Sequence, residues 1–172
     1  MLACVHDVAR VRLKSFPSGA TLERRKRKWT PMSDPLELSI VFPVHNEEEN
    51  LAPLIEEIEP ALDSLGRTHE IICVDDASTD GSLGVLRRLS NDHPSLRIVR
   101  HRINSGQSAA FATGFAAAGG QVVVTMDADL QHDPKDISRL LEALSDDVAC
   151  VAGIRAKRHD NLVKRISSRI GN

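Results

Sequence analysis

Gln121-Val122-Val123-Val124-Thr125-Met126-Asp127-Ala128-Asp129-Leu130-Gln131 is the stretch on which the reading of this 172-residue chain turns. Its consecutive valines are what a strand covered on both faces requires. Two aspartates follow at once. Side chains alternate along a strand, so Asp127 and Asp129 share a face. Carboxylates so placed repel one another unless a cation lies between them. Hard divalent ions take oxygen ligands, and Mg2+ or Mn2+ typically bridges a carboxylate to a substrate phosphate. Two acids in a solvated turn is the competing interpretation; the place at a strand end, with Gln131 two residues on, favours the metal.

Outward from this strand, short apolar runs alternate with helical periods. Leu38–Val44 reads as a buried strand. Asn46 is placed to cap a helix opening on Glu47, Glu48 and Glu49, with Leu51, Leu54, Ile55, Ile58 and Leu62 at helical spacing. Residues 71–74 form the next strand, and Ser78 or Asp80 caps a helix periodic in Leu83, Leu86 and Leu89. A strand at 96–99, a small-residue helix at 105–118, the strand at 121–126, a helix at 136–144 and a strand at 148–154 complete the series. Such alternation predicts a parallel sheet with helices on both faces, whose ligands bind beyond the carboxyl ends of the strands.

The chemistry-bearing residues fall at those ends. Strand one runs into Pro43-Val44-His45-Asn46-Glu47, and strand two into Asp75-Asp76-Ala77-Ser78-Thr79-Asp80-Gly81. Asp75 and Asp76 suit the edge of a base or ribose hydroxyls, or else form an ordinary turn. Asn104-Ser105-Gly106-Gln107-Ser108 opens a helix whose free N–H groups suit a phosphate. Arg155, Arg158, Lys164, Arg165 and Arg169 follow strand five; arginine's planar fork suits phosphate, although an exposed basic helix has the same composition.

Charge is segregated along the chain. Residues 1–32 carry 8 basic and 2 acidic side chains, residues 33–154 carry 8 and 21, and residues 155–172 carry 6 and 1. An acidic middle suits a cation, and basic ends suit phosphates or an anionic membrane surface. Aromatic content is 3%, which argues against recognition by stacking, and no nucleic acid is expected as a partner. Residues 1–35 are expected to be a disordered basic extension, dispensable for a domain over 36–172, with Met32 as an alternative start. Cys73 and Cys150 lie in apolar runs and are expected as buried thiols in a cytoplasmic setting. Residues 109–126 lack charge until Asp127, but Gly119, Gly120 and Gln121 break any membrane span there.

Taken in order, the motifs at Pro43–Glu47, Val74–Gly81, Asn104–Ala110 and Met126–Pro134 resemble the GT-A catalytic domain of family 2 glycosyltransferases. They look most like dolichyl-phosphate mannosyltransferases and bacterial undecaprenyl-phosphate glycosyltransferases. The resemblance implies a Rossmann-like α/β fold. It places Pro43, His45, Glu47, Asp75, Asp76, Gly106, Gln107 and Asp127 on the nucleotide sugar, with Asp127, Asp129 and Gln131 on the metal. Asp127, Asp129 and Arg155 are the implied catalytic residues, and Arg155, Lys164, Arg165 and Ser168 face an acceptor phosphate. His45 stands where many members have Tyr, and Lys164 where Arg is often found. Members continue beyond the Ser-x-x-x-Asn element, here Ser168 to Asn172, so the domain is expected to be truncated at its C-terminus or to work with another chain.

The implied reaction moves a hexose from a GDP- or UDP-linked donor to a polyprenyl phosphate, with inversion and with Mg2+ or Mn2+ assistance, at the cytoplasmic face of a membrane. The implied partners are the donor, the lipid, and an anionic membrane surface or a membrane-embedded protein. Transfer to a sugar or protein hydroxyl, or a non-catalytic nucleotide-sugar-binding module, are the alternatives. A dinucleotide oxidoreductase is excluded because no Gly-x-Gly-x-x-Gly follows the first strand.

Overall fold

A computed structural model describes residues 1–5, 20–22, 35–145 and 147–153. In chain order the elements are β1 (Leu2–Val5), β2 (Ala20–Leu22), β3 (Leu38–Val44), α1 (Leu51–Asp63), β4 (His69–Asp75), α2 (Ser82–Asp92), β5 (Leu96–His101), α3 (Gln107–Ala117), β6 (Val122–Thr125), α4 (Asp136–Glu142) and β7 (Cys150–Ala152). They build one sheet in the order β2-β5-β4-β3-β6-β1-β7. Strands β3, β4, β5 and β6 are mutually parallel, as the strand–helix alternation predicts. β2 is antiparallel to β5, and β1 is antiparallel to both β6 and β7.

Both faces of the parallel strands are covered, which is why their sequences are apolar without alternation. On one face, α1 buries Leu51, Leu54, Ile55, Ile58 and Leu62 in a core that includes Ile40, Phe42, Ile71, Cys73, Leu86 and Ile137. Each such side chain is worth about 1.5–3 kcal/mol of burial. On the other face, α3 covers Val41, Ile72, Val74, Val99 and Val123. Helix α3 lies so close that a Cβ at Gly114 would stand 2.2 Å from Val41 Cγ1. Small residues in α3 are therefore a packing requirement.

Three expectations change. Two segments of the N-terminal extension, expected to be disordered, join the sheet: Leu2–Val5 pairs with β6 and β7, and Ala20–Leu22 pairs with β5. Ala3 is fully buried. The run Leu2-Ala3-Cys4-Val5 is too short to show a period, but it supplies the backbone partners that the open edge of β6 needs. Residues 6–19 and 23–34 lie outside the described residues. The fifth expected strand is β7, separated from the parallel set by β1, and its Cys150 is exposed where burial was expected. Cys73 is buried as expected, and burial pushes its thiol well above the ordinary range.

The third change is at α1, which starts at Leu51 with Glu47–Glu49 in the turn before it. Asn46 does not cap it. Its side-chain Oδ1 accepts from the Thr79 N–H (2.8 Å), and its own N–H donates to Ser78 Oγ (3.1 Å). The loop after β3 is thereby tied to the loop after β4.

Candidate active site

The ends of β3, β4 and β6 lie at one edge of the sheet, and the backbone is strained at each of them. Asn46 (φ 59°), Ala77 (φ 56°) and Leu130 (φ 58°) are the described non-glycine residues with left-handed conformations. Such conformations cost roughly 1–2 kcal/mol apiece and persist only where surrounding contacts fix them. They lie in the three loops that border a cleft of about 380 Å³. Pro43, His45 and Glu47 line it from the first loop, Asp76 from the second, Asn104, Gly106 and Gln107 from the approach to α3, and Asp127, Ala128 and Asp129 from the end of β6.

Asp76 is the most heavily bonded of these. Its Oδ1 accepts from the Ser105 N–H (2.8 Å) and from His101 Nδ1 (2.6 Å), and its Oδ2 accepts from the Gly106 N–H (2.7 Å). Burial works to raise its pKa, but the bonds from Ser105, His101 and Gly106 outweigh it, so the carboxyl is held below its ordinary value. It is charged at neutral pH. The N–H groups at the start of α3, expected to be free for a phosphate, are in part occupied by this carboxylate. His45 donates from Nδ1 to the Asp76 carbonyl oxygen (3.0 Å) and accepts at Nε2 from Asn104 (3.1 Å), which holds the imidazole against the cleft wall.

Asp75 does not line the cleft. Successive strand residues point to opposite faces, so with Asp76 toward α3, Asp75 is buried on the far side. There its Oδ1 accepts from the Ser78 N–H (3.0 Å), and its Oδ2 lies 3.4 Å from Arg100 Nε. This carboxylate shapes the β4–α2 turn.

Across the cleft, Asp127 is partly exposed. Its Oδ1 accepts from Gln107 Nε2 (2.7 Å), and its Oδ2 lies 3.5 Å from His132 Nε2. Asp129 Oδ1 accepts from the Gln131 N–H (3.1 Å), an arrangement that folds the loop back on itself. Gln131 is exposed and is not among the residues lining the cleft. Among the described residues no three His, Cys, Asp or Glu side chains converge into a closed metal cage. Two hard oxygen donors on an open cleft nevertheless suit Mg2+ or Mn2+, which keep several waters and complete their coordination with substrate phosphates.

The sequence-expected residues Pro43, His45, Glu47, Asp76, Gly106, Gln107, Asp127 and Asp129 are thus brought together, while Asp75 and Gln131 are not. Arg155, Lys164, Arg165 and Ser168 lie outside the described residues. Sequence reasoning missed His101 and Thr113 as parts of the arrangement, and it held Asn104 and His132 within motifs without giving either side chain a role. For His101 a signal existed. It is a polar residue at the last position of β5, two places after the inward Val99, and so points into the α3 face.

The model of glycosyl transferase family 2 matches residues 39–170. An undecaprenyl-phosphate 4-deoxy-4-formamido-L-arabinose transferase from Pectobacterium atrosepticum is 42% identical over 137 residues, covering 78% of this chain and 42% of that protein. The chain therefore spans about two fifths of the length of the curated relatives it matches. A mannosyltransferase from Pyrobaculum calidifontis, solved in complex with GDP-Man and Mn2+, is similar in structure with a TM-score of 0.54 at 29% identity, covering 67% of this chain and 34% of that one. Glucosyl-3-phosphoglycerate synthase from Mycobacterium tuberculosis, in complex with Mn2+, UDP and phosphoglyceric acid, gives a TM-score of 0.50 at 27% identity, over 62% of this chain and 38% of that one. A parallel sheet of the GT-A kind, acids gathered at its carboxyl edge and a family match over most of the sequence lead to one conclusion: the chain belongs to glycosyl transferase family 2.

Proposed function

We propose that this chain forms the donor-binding part of an enzyme that moves a hexose from a GDP- or UDP-linked donor to a polyprenyl phosphate. One observation carries the reading. A single cleft has the charged Asp76 on one side of the first turn of α3 and the Asp127–Asp129 pair on the other. That spacing of acceptors suits a nucleoside at one end and a cation-bound diphosphate at the other. The polyprenyl acceptor is carried over from the relatives, which are named undecaprenyl-phosphate transferases. Nucleotides of both kinds occur in the structural relatives, one with GDP-Man and one with UDP, each with Mn2+.

On this reading Pro43, His45, Glu47 and Asp76 orient the nucleoside, and Gly106, Gln107, Asp127 and Asp129 face the diphosphate. Asp127 and Asp129 hold a divalent cation, with Gln131 as the further ligand that the resemblance implies. A cation bound there offsets negative charge gathering on the departing diphosphate. An acceptor phosphate oxygen attacks the anomeric carbon from the face opposite the leaving group. The new C–O bond forms as the old one breaks, the nucleoside diphosphate keeps the bonding pair, and the configuration inverts. A phosphate monoester is already anionic near neutral pH, so the acceptor needs cations such as Arg155, Lys164 and Arg165, with Ser168, rather than a strong general base. No helix among the described residues is long and apolar enough to cross a membrane. The proposed place at the cytoplasmic membrane face rests on the lipid acceptor and the basic 155–172 segment, on an anionic surface or beside a membrane-embedded partner.

Incubation with UDP- or GDP-sugars, undecaprenyl phosphate and Mn2+ tests the proposal. The expected product is a glycolipid extractable into organic solvent, formed with one base and lost in EDTA and in Asp127→Asn. Sugar transferred to a hydroxyl acceptor and never to the lipid would contradict it.

A further inference from the structure

Behind the cleft, Asp76 is backed by two buried side chains, His101 and Thr113, that no motif above contains. His101 is 3% exposed and Thr113 is fully buried. The His101 ring donates from Nδ1 to Asp76 Oδ1 at 2.6 Å, and its Nε2 meets Thr113 Oγ1 at 2.8 Å. A carboxylate only accepts, so Nδ1 carries the proton. A hydroxyl both donates and accepts, so Thr113 satisfies Nε2 in either charge state of the ring. Both ring nitrogens are thereby fixed, and the imidazole has one orientation.

This matters for what Asp76 offers the cleft. A carboxylate has about four acceptor directions. His101, the Ser105 N–H and the Gly106 N–H occupy three of them, which leaves one on Oδ2. The same bonds fix the start of α3, since Ser105 and Gly106 immediately precede Gln107, whose amide reaches Asp127 at 2.7 Å. Thr113 sits two turns further along the same helix. The path Thr113–His101–Asp76–Gly106–Gln107–Asp127 thus joins one side of the cleft to the other through hydrogen bonds of 2.6–2.8 Å and the peptide bond between Gly106 and Gln107.

We propose that His101 is a positioning residue for nucleotide binding. Its Nδ1–H, fixed by Thr113, holds the Asp76 carboxylate with its one remaining acceptor direction toward the cleft and sets the first turn of α3 against Asp127. The proposal rests on the assignment of Asp76 to the nucleoside made above. A histidine that merely filled space would be replaceable by any side chain of similar volume. One that positions Asp76 requires a donor at the Nδ1 place, which the amide of asparagine can supply and leucine cannot.

Calorimetric titration with UDP and with GDP, each with excess Mg2+, decides between these roles in parent, His101→Asn, His101→Leu and Asp76→Asn, with melting temperatures measured alongside. The leucine variant should bind the preferred nucleotide about tenfold more weakly than the parent, and the asparagine variant within about threefold. Both should melt below the parent because both lose the Thr113 contact, and the leucine variant should melt lower still because it also strips the Asp76 carboxylate of a donor. Equal weakening in the two His101 variants, or parent-like binding by the leucine variant while Asp76→Asn is weak, would overturn the positioning role. Parent-like binding by Asp76→Asn would instead remove the nucleoside assignment on which it rests. Should the leucine variant not fold, Thr113→Val, which keeps the shape and removes only the hydroxyl, takes its place. It should then bind at least about threefold more weakly than the parent, and equal binding would reject the proposal.

Discussion

Two buried carboxylates face helix α3, one near the start of strand β4 and one just past its end, and the two are used differently. Near the start, Glu70 Oε1 accepts from Ser39 Oγ and from the Gly119 N–H, both at 2.7 Å, and Oε2 is paired with Arg97, which also donates to the Ala117 carbonyl. Just past the end, Asp76 accepts from the Ser105 and Gly106 N–H groups and from His101. Each carboxylate takes backbone donors from one end of α3 and a side-chain donor from β5. At the Glu70 end the chain closes over the site, since Gly120 packs directly on the backbone of Leu38 and Ser39. At the Asp76 end the loops that hold the left-handed residues Asn46, Ala77 and Leu130 border an open cleft. The same device is thus a clamp where the chain closes over it and, in the function proposed above, a binding group where the cleft is open.

The largest expected effect separates the two ends by function. Asp76→Asn should lower nucleotide affinity by about thirtyfold or more, on the order of 2 kcal/mol. Glu70→Gln should leave that affinity within about twofold. A matching loss in both, measured by calorimetry, would mean that α3 as a whole and not the cleft end governs binding. Stability should rank them the other way. Glu70→Gln removes the charge paired with Arg97, which keeps its bond to the Ala117 carbonyl and is partly solvated, and weakens the buried cluster with Ser39 and Gly119; it should cost about 2 kcal/mol in denaturant unfolding. Asp76→Asn, beside an open cleft, should cost about 1–2 kcal/mol.

A smaller effect probes the N-terminal strands. β2 pairs Ala20 with His101 and Leu22 with Val99, so it covers β5 at the Asp76 end, while β1 covers β6. A chain started at Met32 should melt about 3–6 °C below the parent, the shift expected for a loss of 1–2 kcal/mol in a chain of this size. An unchanged midpoint would return the N-terminal segment to the dispensable role that its composition suggests.

The smallest effect is a pH dependence. The Asp76 carboxyl is held below its ordinary value, so in the folded state it resists protonation. A depressed carboxyl contributes its stability fully above the unfolded pKa of about 3.9 and loses it as pH falls through the folded value. The stability gap between parent and Asp76→Asn should therefore stay constant from about pH 7 to 5 and shrink below about pH 4. A gap that widened in acid would have the wrong sign for a charged Asp76.

The parallel strands and their order of appearance were legible because a sheet buried on both faces needs uninterrupted apolar runs, and residues 38–44, 71–74 and 121–126 supply them. Asp127 and Asp129 were legible because they directly follow such a run. Asp75 was misplaced by adjacency, since neighbours in a strand face opposite ways and only one of two consecutive aspartates can reach the cleft. Asn46 read as a helix cap on local grounds, whereas its partners, Ser78 and Thr79, lie more than thirty residues away. Thr113 was invisible for the same reason, a single polar residue in a helix, and His101 showed only its phase with Val99, which names no partner until the sheet brings Asp76 and Thr113 beside it. The pairing of Leu2–Val5 with β6 rests on backbone groups, which composition does not report.

Whether the cleft binds a cation-bound nucleoside diphosphate is the claim on which the rest depends. The direct measurement is calorimetric titration of UDP and GDP into the parent and into Asp129→Asn, each with Mn2+ and with EDTA. The account predicts that one nucleotide binds the parent with Mn2+, that EDTA removes most of the affinity, and that Asp129→Asn weakens Mn2+-dependent binding by at least about tenfold, or 1.4 kcal/mol. Equal affinity in the two proteins, with and without EDTA, would contradict it.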